Sequence, residues 1–121
     1  MQAAEDSPSV LIAEDEVLIR EALRQELDKR FKVVAAVWDG QAAIETAEKV
    51  RPDVALLDIS MPVMNGLDAA KQIAEAVPEV KIIVVTSHAE PAYVEEAFRR
   101  GARGYVLKGR LTELIDAITA V

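Results

Sequence analysis

Short apolar runs and amphipathic stretches alternate along this chain five times over. The first run, Val10 to Ala13, precedes a segment with Leu18, Ile19, Ala22, Leu23 and Leu27 at helical spacing. A second strand is expected from Lys32 to Val37, followed by a helix from Gly40 to Val50 that stops before Pro52. The third run, Val54 to Ile59, leads through the loop Ser60-Met61-Pro62-Val63-Met64-Asn65-Gly66 into a helix carrying Leu67, Ala70, Ile73 and Val77, closed by Pro78. Lys81 to Thr86 reads as a fourth strand, Pro91 opens a helix reaching Arg100, and Gly104 to Leu107 reads as a short fifth strand. Leu111, Leu114, Ile115, Ile118 and Val121 share one face of a last helix, which reaches the final residue without a capping signal.

Near-continuous apolar strands alternating with helices are the pattern of a parallel sheet covered on both faces. The expected fold is α/β: a doubly wound parallel sheet of five βα units, flavodoxin-like, with strand order 2-1-3-4-5. Residues 10–121 form one domain behind a flexible polar segment, 1–9. The uncapped last helix suggests the N-terminal part of a longer protein, truncated before a further domain, with a naturally frayed end as the alternative.

Composition narrows the chemistry. A chain of 121 residues, 51% of them apolar, fits a single core. No cysteine is present, so disulfides, thiolate metal sites and cysteine nucleophiles are excluded. A net charge of −7 and an aromatic content of 4% argue against direct nucleic-acid binding by this segment. The polar, acidic opening and the lack of a long apolar run fit a cytoplasmic protein with no membrane partner.

In such sheets ligands sit outside the carboxyl ends of the strands, where strand order reverses. The polar residues ending the runs are Glu14-Asp15-Glu16, Trp38-Asp39, Asp58, Thr86-Ser87 and Lys108. If the first strand lies beside the third, Glu14 and Asp15 approach Asp58 in one crevice. Crowded carboxylates repel, and a divalent cation relieves them. The all-oxygen ligand set suits Mg2+. Lys108 adds a positive charge and Thr86 a hydroxyl donor, both suited to a transferring phosphoryl group. Asp58, an acid closing the buried run Ala55-Leu56-Leu57, is the candidate nucleophile. Each residue also has a plainer reading. The acids suit a helix start, Thr86 a turn, Lys108 an ion pair and Tyr105 a half-buried strand position. Their common location at one end of the sheet favours the phosphoryl-transfer site.

From Val10 to Val121 the chain resembles the receiver domains of two-component response regulators. An acidic pair (Glu14, Asp15), a phosphorylated Asp (Asp58), a Thr (Thr86) and a Lys (Lys108) end successive strands, and Met61-Pro62 with Asn65-Gly66 resembles the family's loop. The resemblance implies a phosphoprotein of a phosphorelay, taking its phosphoryl group from a sensor histidine kinase or phosphotransfer protein, and not a multiple-turnover enzyme. It implies Mg2+ held by Asp15, Asp58 and the backbone carbonyl of Ser60, with Glu14 acting through water, and no organic cofactor. Tyr105 would turn inward as Thr86 moves, while Ser60 and His88 at the rim would tune phosphate loss. Family members often carry Pro after the Lys, in a cis bond. Gly109 stands there, so a trans bond is the default. That feature and the Gly104-Tyr105-Val106-Leu107-Lys108-Gly109 stretch resemble regulators joined to a helix-turn-helix domain. The implied context is transcription regulation, with DNA contacted by a C-terminal domain outside this chain and a homodimer as a candidate assembly.

Three rivals remain. A haloacid-dehalogenase-type phosphatase would need a second Asp where Ser60 stands. A flavodoxin-like cofactor binder would want a Ser/Thr/Gly phosphate loop in place of the acids. A receiver used only for docking would not be phosphorylated.

Overall fold

The computed structural model describes residues 6–121. Of the segment 1–9 expected to be flexible, residues 1–5 lie outside the described residues. The chain order is β1 (Ser9–Ala13), α1 (Val17–Leu27), β2 (Lys32–Val37), α2 (Gly40–Val50), β3 (Val54–Leu57), α3 (Gly66–Ala76), β4 (Lys81–Thr86), α4 (Pro91–Arg99), β5 (Ala102–Leu107) and α5 (Leu111–Ala120). All strand pairs are parallel, in the order β2-β1-β3-β4-β5, which is the expected flavodoxin-like arrangement. No helix among the described residues is long and apolar enough to cross a membrane.

The central strands are apolar throughout because both of their faces are covered. Leu11, Ala13, Ala55, Leu57, Ile82 and Val84 point into one core, with Ala43, Ala47, Ala70, Ile73 and Ala97 from α2, α3 and α4. Val10, Ile12, Val54, Leu56, Ile83 and Val85 alternate into the other, with Leu27 of α1 and Leu114 and Ile118 of α5. This two-residue alternation along three adjacent strands sets the register, since a slip of one would exchange the two faces. Burying each Leu or Ile contributes about 1.5–3 kcal/mol.

Several boundaries differ from expectation. β3 ends at Leu57, so Asp58 and Ile59 follow the strand. β5 starts at Ala102, two residues ahead of the expected Gly104. Ile82 pairs with Ala102 and Ile83 with Gly104, so Arg103 is an extra residue that breaks the alternation and hides the strand's start. Leu18 lies off the buried stripe of α1 and is 83% exposed, because Leu23 and Leu27, one turn apart, define the inward direction. Val121 lies just past the end of α5 and is exposed.

Candidate functional site

β1 and β3 are neighbours, and β2 lies on the other side of β1, so the sheet's connections reverse at the carboxyl ends of β1 and β3. Glu14 and Asp58 leave these two strands side by side. The Asp58 amide donates to the Ala13 carbonyl at 3.1 Å, and the Glu14 amide donates to the Val37 carbonyl at 3.0 Å. Main-chain hydrogen bonds thus continue past the last strand residues and aim both side chains into one crevice.

Three acids meet there. Glu14, Asp15 and Asp58 each offer a carboxylate oxygen, and these oxygens lie within 4.8 Å of one another. Glu14 and Asp58 are buried, at 2% and 3% exposure, while Asp15 faces solvent. Lys108 reaches in from the end of β5. Its Nζ lies 2.8 Å from Asp58 Oδ2 and 2.9 Å from Glu14 Oε1. Burial raises the Glu14 pKa, and the nearby Asp58 charge adds to it, against the Glu16 amide and Lys108 acting the other way. For Lys108, desolvation disfavours the ammonium, yet its hydrogen bonds to Asp58 and Glu14 and their charges outweigh it, so its pKa is raised. One lysine therefore holds two buried carboxylates, and an all-oxygen set of three acids fits a divalent cation such as Mg2+.

Thr86 ends β4 fully buried, and its carbonyl accepts from the Lys108 amide at 2.9 Å, which ties the ends of β4 and β5 together. The His88 amide lies 3.4 Å from Thr86 Oγ1, while His88 Nε2 and Ser60 Oγ are 3.0 Å apart. The Tyr105 hydroxyl donates to the His88 carbonyl at 2.7 Å, so this half-buried ring has a protein partner. Burial, followed by the charge of Glu90, pushes the Tyr105 phenol up. Glu14, Asp15, Asp58 and Lys108 form one cluster. Thr86, Ser60, His88 and Tyr105 form a hydrogen-bonded rim beside it. The Lys108–Gly109 bond is trans, as the absence of proline led us to expect.

The loop over Asp58 is shaped by Gly66. A Cβ there would lie 1.9 Å from the Asp58 carbonyl oxygen, and the Gly66 amide donates to the Ile59 carbonyl at 2.8 Å. Asn65 caps α3 by accepting from the Asp68 amide, which returns the chain to the sheet immediately beyond the loop.

Two contributors were not visible in the sequence pattern. Tyr93 stacks on His88 with ring centroids 4.5 Å apart. Arg20 donates through Nη1 to the Glu14 carbonyl at 2.9 Å and lies over the Trp38 ring. Both lie on helices among residues of ordinary helical spacing, and no motif marks them.

Comparison with known proteins identifies the family. The family model described as the response regulator receiver domain matches residues 10–119. The transcriptional regulatory protein DegU of Brevibacillus brevis is 37% identical over 123 residues, covering 99% of this chain and 52% of that protein. The chemotaxis protein CheY of Thermotoga maritima is 33% identical over 115 residues, covering 91% of this chain and 96% of CheY. A DNA-binding response regulator of the LuxR family from Staphylococcus aureus superposes with a TM-score of 0.86 at 35% identity, covering 93% of this chain and 97% of that one. The chain spans about half the length of the transcriptional regulators it matches. The fold, the acidic crevice and these likenesses together establish that the chain belongs to the response regulator receiver domain family of two-component systems.

Proposed function

We propose that Asp58 accepts a phosphoryl group from the phosphohistidine of a sensor histidine kinase or phosphotransfer protein. The observation that carries this reading is the buried Asp58 carboxylate, bonded to Lys108 and crowded by Glu14 and Asp15. An Asp58 carboxylate oxygen attacks phosphorus, the phosphorus–nitrogen bond breaks, and its electron pair returns to the donor's imidazole. The product on Asp58 is an acyl phosphate. Lys108, already held in the crevice, neutralises charge on the phosphoryl oxygens, and Thr86 offers its hydroxyl to one of them.

Asp15, Asp58 and the Ser60 carbonyl would hold Mg2+ directly, with Glu14 acting through water. The ion, when bound, offsets the repulsion between the attacking carboxylate and the incoming phosphoryl group. The domain then acts as a signalling phosphoacceptor that assists its own phosphorylation and dephosphorylation, without multiple turnover. Ser60 and His88, bonded across the rim, set access to the acyl phosphate and so its lifetime.

As Thr86 moves toward the phosphoryl group, Tyr105 exchanges its hydrogen bond to the His88 carbonyl for the vacated space, and the surface of α4, β5 and α5 repacks. Moving a population from 1:99 to 99:1 takes about 5.5 kcal/mol of differential stabilisation. The transcriptional regulators in the comparison support a role in transcription. In the proposed setting the protein works in the cytoplasm, a C-terminal domain contacts DNA, and the switching surface serves a homodimer.

The test is intact-mass analysis after incubation with a small acyl-phosphate donor, with and without Mg2+, on wild type and Asp58→Asn. A base-labile phosphate should appear on the wild type only, and only with Mg2+. Its absence from the wild type would overturn the proposal.

A further inference from the structure

Trp38 is the only tryptophan of the chain, and 58% of it is exposed. It lies just past β2 and contributes to neither buried core. Its indole faces a cation. The guanidinium carbon of Arg20 lies 5.2 Å from the ring centroid, within cation–π range.

The same guanidinium reaches the acidic turn. Arg20 Nη1 is 2.9 Å from the Glu14 carbonyl oxygen and 3.4 Å from that of Asp15. Its bonds therefore go to the main chain of the acidic pair and not to either carboxylate. The turn is gripped from β2 as well, because the Glu14 amide donates to the carbonyl of Val37, the residue before Trp38. The Glu14 side chain is fixed in turn by the Glu16 amide at 3.0 Å. A single side chain thus joins α1, the β1–α1 turn and the end of β2.

We propose that Arg20, held against the face of Trp38, is a positioning residue that sets the backbone of Glu14 and Asp15 so their carboxylates stand ready for a divalent cation. The proposal rests on the metal reading above. Without the clamp the cation must order the turn as it binds, and part of its binding free energy goes into that ordering. Charge acts in the opposite direction, since a guanidinium beside the site repels a cation. Variants that preserve net charge separate the two effects. Arg20→Lys keeps the charge but loses the planar fork and its stacking, Trp38→Leu removes the ring, and Trp38→Phe retains an aromatic face.

The experiment is calorimetric titration of the whole chain with MgCl2 at fixed ionic strength, with thermal melts to verify that each variant is folded. Arg20→Lys and Trp38→Leu are expected to weaken Mg2+ binding by about two- to fivefold, and Trp38→Phe to stay near wild type. Phosphorylation of Asp58 by a small acyl phosphate should slow in the two weakened variants at subsaturating Mg2+ and recover the wild-type rate at saturation. Unchanged affinity in both variants, beside a wild type that binds, would overturn the clamp alone. A wild type that binds no Mg2+ would overturn the metal reading and the clamp with it.

Discussion

Asp53 and Asp58 stand at opposite ends of the same strand, and their surroundings differ in nearly every respect. Asp53 is exposed, and its Oδ2 accepts from the Ser9 amide at 2.8 Å and the Ser9 hydroxyl at 3.1 Å. Its amide donates to the same hydroxyl. It fastens β1 to β3, and among the described residues it belongs to no cluster of three acids. Asp58 is buried, shares one lysine with Glu14 and lies beside a second acid. One carboxylate has its hydrogen bonds met by neutral partners. The other sits where negative charge exceeds positive. That excess gives the Asp58 crevice a reason to take up a cation, which would then offset the repulsion of an incoming phosphoryl group, and a structural acid has no such excess.

The contrast can be broken most severely at Gly66. Gly66→Ala would drive a methyl group into the Asp58 carbonyl, so it should cost about 3 kcal/mol, read in denaturant unfolding, and abolish phosphorylation of whatever protein remains folded. Lys108→Met removes the cation that, among the described residues, bonds both buried acids. It should destabilise by about 2 kcal/mol and slow labelling of Asp58 by about a hundredfold, measured by time-resolved intact mass. Asp53→Ala should cost about 1 kcal/mol in the same unfolding assay and leave the labelling rate at the wild-type value.

The smallest effect has the opposite sign. Because the folded-state pKa of Glu14 is raised, its contribution to stability is full below the ordinary carboxyl range and is lost as pH rises through the raised value. At neutral pH its charge therefore opposes folding. Glu14→Gln, which mimics the protonated form, should raise the melting temperature by a few degrees without Mg2+, and this gain should shrink when Mg2+ is added.

Much of this site was legible because it sits at the ends of apolar runs. β1, β3 and β4 carry apolar runs buried on both faces, so the first polar residues after those runs, Glu14, Asp58 and Thr86, mark the carboxyl edge of the sheet. The same alternation of strands and helices indicated a parallel sheet covered on both faces, while the strand order came from the flavodoxin-like pattern and not from the alternation itself. Periodicity failed where tertiary packing chose among nearly equivalent positions. Leu18 matches an amphipathic pattern yet faces solvent, and Arg103 interrupts β5 with an unpaired residue. The partners of His88 and Trp38 were also out of reach, because Tyr93 and Arg20 meet them only through folding. Tyr105 could be placed on its strand, but its bond to the His88 carbonyl depends on the path of the loop after β4.

The most direct test of the account is peptide mapping of the base-labile phosphate in wild type, Asp53→Asn and Asp58→Asn, each labelled with a small acyl phosphate in Mg2+. The account predicts phosphate on Asp58 in the wild type, the same site and yield in Asp53→Asn, and none in Asp58→Asn. Phosphate mapped to another residue in the wild type, or retained by Asp58→Asn at full yield, would contradict it.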